Sequence, residues 1–101
     1  MVEIMKTIFI VTTLEDRPSM NFKRCIGWFD NLKDAEACTV LNCGDIHECS
    51  NRWVVIEEVE QGFYSSALAM EYWFEWDENF EQYGRCEKPK KFESICAFGM
   101  G

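Results

Sequence analysis

The chain has 101 residues, 48% of them apolar and 28% charged, and its 18 acids against 10 bases give a net charge of −8. This length fits one domain, residues 1–101, with its own packed core, and the apolar content excludes a disordered chain. The acidic balance argues against bare nucleic acid and anionic membrane as partners, and no apolar run reaches the ~18 residues that cross a bilayer.

Lys6 to Thr13 is a continuous β-branched and apolar run, the pattern of a strand covered on both faces. Leu14 to Lys23, with Pro18, Ser19 and Asn21, reads as a loop, and Arg24 to Phe29 as a second strand in which Gly27 allows a bulge. Asn31 to Cys43 predicts the one helix. Asp30 or Asn31 supplies its N-cap, Asp34 and Glu36 lie near its positive end, and Gly44 is the candidate for the left-handed residue after its end. Leu32, Ala35, Cys38 or Thr39, and Asn42 form one stripe, with Ala37, Val40 and Leu41 beside it, a broad face suited to lying on a sheet.

Asp45 to Asn51 is a connector. Trp53 to Glu60 is a strong strand, ended by Gln61-Gly62, and Ser65 to Ala69 is a loop or short helical turn. Met70 to Trp76 alternates, with Met70, Tyr72, Phe74 and Trp76 on one face and Glu71, Trp73 and Glu75 on the other. Asp77-Glu78-Asn79 makes a turn, and Phe80 to Cys86 returns as the second arm of a hairpin. Lys88 to Lys91 is a basic break, and Phe92 to Gly101 adds a last edge segment. The order β-β-α-β-β-β predicts an α+β fold, an antiparallel sheet of about five strands with one helix on one face.

Charge is distributed unevenly along the chain. Between Trp53 and Gly84 there is no Lys or Arg but eight carboxylates (Glu57, Glu58, Glu60, Glu71, Glu75, Asp77, Glu78 and Glu81), while the remainder balances ten acids with ten bases. The stretch from Trp53 also holds nine of the fifteen aromatics. A surface of this kind favours the Arg/Lys-lined grooves of other proteins or cationic ligands. Within it Trp73 stands on the outward face between Glu71 and Glu75. Two readings are open: a hot spot for a cationic group, or a cover for the second face of the sheet under the C-terminal segment.

Other chemistry finds little footing. Cys38, Cys43, His47 and Cys49 are residue types that suit zinc, but no C-x2-C knuckle is present, and no metal site is expected. His47 is the one base available to a cysteine nucleophile, and Cys43 lies at a helix C-terminus, where the dipole opposes a thiolate. Glu57 and Glu58 point to opposite faces of a strand and cannot act as a pair; Glu71 and Glu75 read as a solvated hairpin face. No Gly-rich loop or P-loop precedes the helix, so no cofactor is expected. The six cysteines are read as free thiols packing like small apolar groups, because no export signal is present and the core needs no staple. A cytoplasmic location follows as the expectation.

Arg24-Cys25-Ile26-Gly27-Trp28-Phe29, Ala35, Asn42, Asp45-Ile46-His47-Glu48, Trp53-Val54-Val55-Ile56-Glu57-Glu58, Gly62-Phe63-Tyr64 and the terminal Phe98-Gly99-Met100-Gly101 together resemble a family of small accessory proteins carried by phages, prophages and gut-type Firmicutes. Ser50-Asn51-Arg52-Trp53 departs from that pattern, in which an aromatic follows Glu48 sooner. No reaction is assigned to the family. The resemblance implies an inhibitor or sponge that acts by binding. The expected function is therefore a non-enzymatic, phage-encoded anti-defence protein that occupies a basic groove of a host protein through Glu71, Trp73, Glu75, Asp77, Glu78 and Glu81. The alternatives are a sponge for a nucleotide-like small molecule stacked on Trp28, Trp53 or Tyr64, with Arg24, Arg52 or Arg85 holding phosphates, and an uncharacterised structural domain. A homodimer formed through an exposed first or last segment also stays open.

Overall fold

The computed structural model describes residues 7–15, 23–49, 51–60, 70–93 and 98. Five strands form one sheet: β1 (Thr7–Glu15), β2 (Lys23–Phe29), β3 (Asn51–Glu60), β4 (Met70–Asp77) and β5 (Gln82–Cys86). Helix α1 (Leu32–Val40) lies between β2 and β3 in the chain, and short 3-10 turns cover Ile46–Cys49 and Lys90–Phe92. The strand order is β2-β1-β3-β4-β5 and every neighbouring pair is antiparallel. The fold is α+β, as the pattern of apolar residues predicts.

β1 lies inside the sheet, which explains its unbroken apolar run. Val11, Thr12, Thr13 and Leu14 are all fully buried. β2 and β5 form the edges among the described strands, so the first strand does not supply an exposed edge. β1 pairs with β2 through a bulge between Val11 and Thr12, where Gly27 faces Val11 and Cys25 faces Thr12. The extra residue is Ile26, which is left exposed.

α1 begins at the capping residue Asn31, whose Oδ1 accepts a 2.8 Å hydrogen bond from the Asp34 amide. It ends three residues sooner than the periodicity predicts. Gly44 is left-handed at φ 71°, but Asn42 is too, at φ 53°, and it is Asn42 that closes the helix, with paired bonds from the Asn42 amide to the Thr39 carbonyl and from the Cys43 amide to the Cys38 carbonyl. Leu41, assigned to the packed stripe by its spacing, is consequently exposed.

The sheet is covered on both faces. Under the helix, Phe9, Val11, Ala35, Val54, Ile56, Phe74 and Tyr83 form one core, bordered by Leu32, Val40 and Trp76. On the other face Leu14, Trp53, Val55 and Trp73 pack against Phe92 and Phe98. Phe92 and Phe98 therefore lie on the face of the sheet; the rest of the expected edge segment, apart from residue 93, lies outside the described residues. The predicted turn at Gln61-Gly62, the loop Ser65 to Ala69 and most of the loop between β1 and β2 lie outside the described residues. No helix among the described residues is long and apolar enough to cross a membrane.

Candidate functional site

The β4–β5 hairpin was expected to present one acidic and aromatic face. Its register separates those residues into three groups. β4 alternates, with Phe74 opposite Val54 on the helix side and Trp73 opposite Val55 on the far side. The far side is where Phe92 and Phe98 settle, so Trp73 is buried to 3% exposure. Its ring stacks on Phe92 at 5.4 Å and meets Phe98 edge-on at 5.2 Å. Its Nε1 donates to Glu71 Oε1 at 3.0 Å. Trp73 is thus the cover, and the reading of it as an exposed hot spot is corrected: its aromatic partners come from about twenty residues downstream.

Glu71 and Glu75 are each paired with a base from outside the acidic stretch. Glu71 Oε1 lies 3.0 Å from Lys88 Nζ, and Glu75 Oε2 lies 2.8 Å from an Arg52 nitrogen. Neither presents a bare carboxylate to a partner, and the exposed Arg52–Glu75 pair contributes about 0–1 kcal/mol. Glu57 is buried and its Oε2 accepts a 3.0 Å bond from the Phe98 amide, while Glu58 accepts from the Tyr72 hydroxyl. The acidic stretch is continuous in sequence but not on the surface.

Asp77, Glu78 and Glu81 remain together at the tip. The four-residue connection from Glu78 to Glu81 is held by the Asn79 amide, which donates to Asp77 Oδ1 at 2.9 Å. Glu81 sits at φ 52°, a left-handed conformation that costs a side-chain-bearing residue about 1–2 kcal/mol and glycine almost nothing. Phe80, between them, is 74% exposed. Sequence reasoning placed Phe80 in the returning strand and missed it as a surface residue. Only the register, in which Asp77 pairs with Gln82, puts residue 80 in the loop.

Beside the tip, His47 stacks on Trp76 with ring centres 3.8 Å apart and planes within 7°. Tyr83 approaches both rings edge-on and donates to the Asn51 carbonyl at 2.6 Å. Burial, reinforced by the charge of Asp45, holds the Tyr83 phenol well above its ordinary range. A cavity of about 320 Å³ opens between His47, Arg52, Glu75, Trp76 and Glu78. His47 is thereby part of an aromatic stack. Among the described residues no group of three His, Cys, Asp or Glu converges as a metal site requires.

The nucleotide platforms fare unequally. Trp53 is buried beneath Phe92, with the Lys91 ammonium over its ring at 4.7 Å. Arg52 and Arg85 are engaged by Glu75 and Glu36. Tyr64 lies outside the described residues. Trp28, 65% exposed, lines a groove of about 280 Å³ between β2 and the end of α1 with Ile26, Phe29, Cys38, Cys43 and Ile46 among its walls.

No family model, no curated protein and no solved structure matches the chain.

Proposed function

We propose that this chain is a non-enzymatic binding protein whose contact surface is the tip of the β4–β5 hairpin, centred on Phe80 and rimmed by Asp77, Glu78 and Glu81. The observation that carries this reading is the tip itself. An exposed phenylalanine stands among acids, and one of those acids occupies a backbone conformation that glycine would adopt with less strain. Phe80 supplies an apolar anchor to a partner pocket, and the carboxylates steer the hairpin toward Lys and Arg around it. The partner is a protein with a basic groove. In keeping with the resemblance to phage accessory proteins, the role is that of an inhibitor that occupies a nucleic-acid-binding groove of a host defence protein.

The test compares the purified chain with a variant carrying Phe80→Ala, Glu78→Lys and Glu81→Lys, each immobilised against host lysate at rising salt. The wild type retains a basic protein at low salt and releases it as salt increases, while the variant retains none. Equal capture by both proteins with the same salt dependence removes the tip from the binding surface.

A further inference from the structure

Cys38 and Cys43 are brought together by the way α1 ends. Five residues apart, they do not share a helical face, and in a continuing helix they would diverge. The left-handed turn at Asn42 folds the chain back, so that Cys43 donates its amide to the Cys38 carbonyl at 2.9 Å. In this type of helix end the side chains of those two positions meet, usually as an apolar contact. Here both are free thiols that lie beside one another on the same groove. That contact is the first reason the Cys38 thiol is held above its ordinary range, ahead of its burial and the charge of Asp34. The two differ in access: Cys43 is exposed and Cys38 half-buried. Both line the groove walled by Ile26, Trp28, Phe29 and Ile46. Access, mutual contact and a groove for a substituent are what the fold supplies to a thiol that exchanges and a second that resolves, against a helix dipole that slows the first step at Cys43.

We propose that Cys43 and Cys38 form a thiol–disulfide exchange site for small cationic disulfides. The Cys43 thiol loses its proton to solvent, and its sulfur attacks one sulfur of the disulfide RSSR. This forms the Cys43–S–SR bond and expels RS⁻, which takes up a proton. Cys38 then gives up its proton and attacks Cys43 Sγ, breaking the mixed disulfide and expelling the second thiolate, again protonated by solvent. The protein dithiol is oxidised by two electrons and RSSR is reduced to two RSH. The cationic preference follows from the net charge of −8, from Asp34, whose charge acts on Cys38, and from Asp45, two residues beyond Cys43.

Cystamine is the probe. The full chain is treated with it, and intact mass and peptide mapping are read over time. The expected product has lost two hydrogens and maps to a Cys38–Cys43 disulfide. The variant Cys38→Ser stops at a stable mixed disulfide on Cys43, because the resolving thiol is gone. The variant Cys43→Ser forms the 38-linked adduct about tenfold or more slowly, since the half-buried thiol must attack first. Circular dichroism on both variants verifies that they stay folded. Cys25 is exposed and takes its own adduct, so the outcome is read at the pair: a wild-type chain that accumulates a persistent adduct on Cys38 or Cys43, or that forms no Cys38–Cys43 disulfide, overturns the proposal.

Discussion

Single side chains in this fold are placed where their chemistry is modified by burial. Burial, together with the charge of Glu75 and against the opposing charge of Arg85, pushes the Cys86 thiol up to about 11. Iodoacetamide should therefore leave Cys86 largely unmodified at pH 8, and its alkylation rate should rise until about pH 11; peptide mapping after timed quenching measures this. Tyr83 reaches past the core to the Asn51 carbonyl, so Tyr83→Phe strands a buried acceptor and should lower unfolding free energy by about 1–2 kcal/mol in urea titrations. Glu81 predicts the opposite sign. Glu81→Gly relieves a left-handed side chain and should raise stability by about 0.5–1 kcal/mol while weakening capture of the basic partner. A variant that is both more stable and equally active would show that the acid at 81 has no part in binding.

Among the elements, β4 shows what alternation tells and what it leaves out. The sequence places Trp73 opposite Phe74 without difficulty, because side chains in a strand point to alternate faces. It does not say which face gains a second layer. That layer comes from Phe92 and Phe98, in a stretch whose Lys-Pro-Lys-Lys start carries no periodicity at all. The same reason hid the pairing of Glu71 with Lys88 and of Glu75 with Arg52, since both bases lie outside the acidic stretch. The five strands and the helix were legible from β-branched runs, turn residues and the Asn31 cap. The end of α1 was not, because Asn42 and Gly44 both take a left-handed turn and only the closing bonds show which of them ends the helix. Two aromatic truncations in one hairpin should then diverge. Trp73→Ala removes a buried ring stack and should cost about 3–5 kcal/mol, whereas Phe80→Ala should change stability by less than about 0.5 kcal/mol, both read from urea midpoints at constant slope.

At the scale of the molecule, one sheet is closed from both sides, by a helix on one face and by residues 92 and 98 on the other. Its buried acids of high pKa set an alkaline limit. Cys86, Tyr83 and Tyr72 all hold their protons more tightly when folded, mainly through burial. For such groups the stabilisation is complete below the unfolded values of 9.0 for the thiol and 10.0 for the phenols, and it is lost as pH rises through the folded ones. Melting temperature should accordingly be flat up to about pH 9 and fall from there to about pH 11, first from Cys86; Cys86→Ala should delay the onset. The two-sided closure also imposes an order on biosynthesis. A ribosome makes β1 and β2 first, yet β1 cannot be enclosed until β3 has emerged, and Trp53 and Trp73 stay bare until residues 92–98 follow. A released chain that has not yet laid Phe92 and Phe98 on this face would display two indoles to chaperones and proteases, so docking of its last residues is the step that hides them.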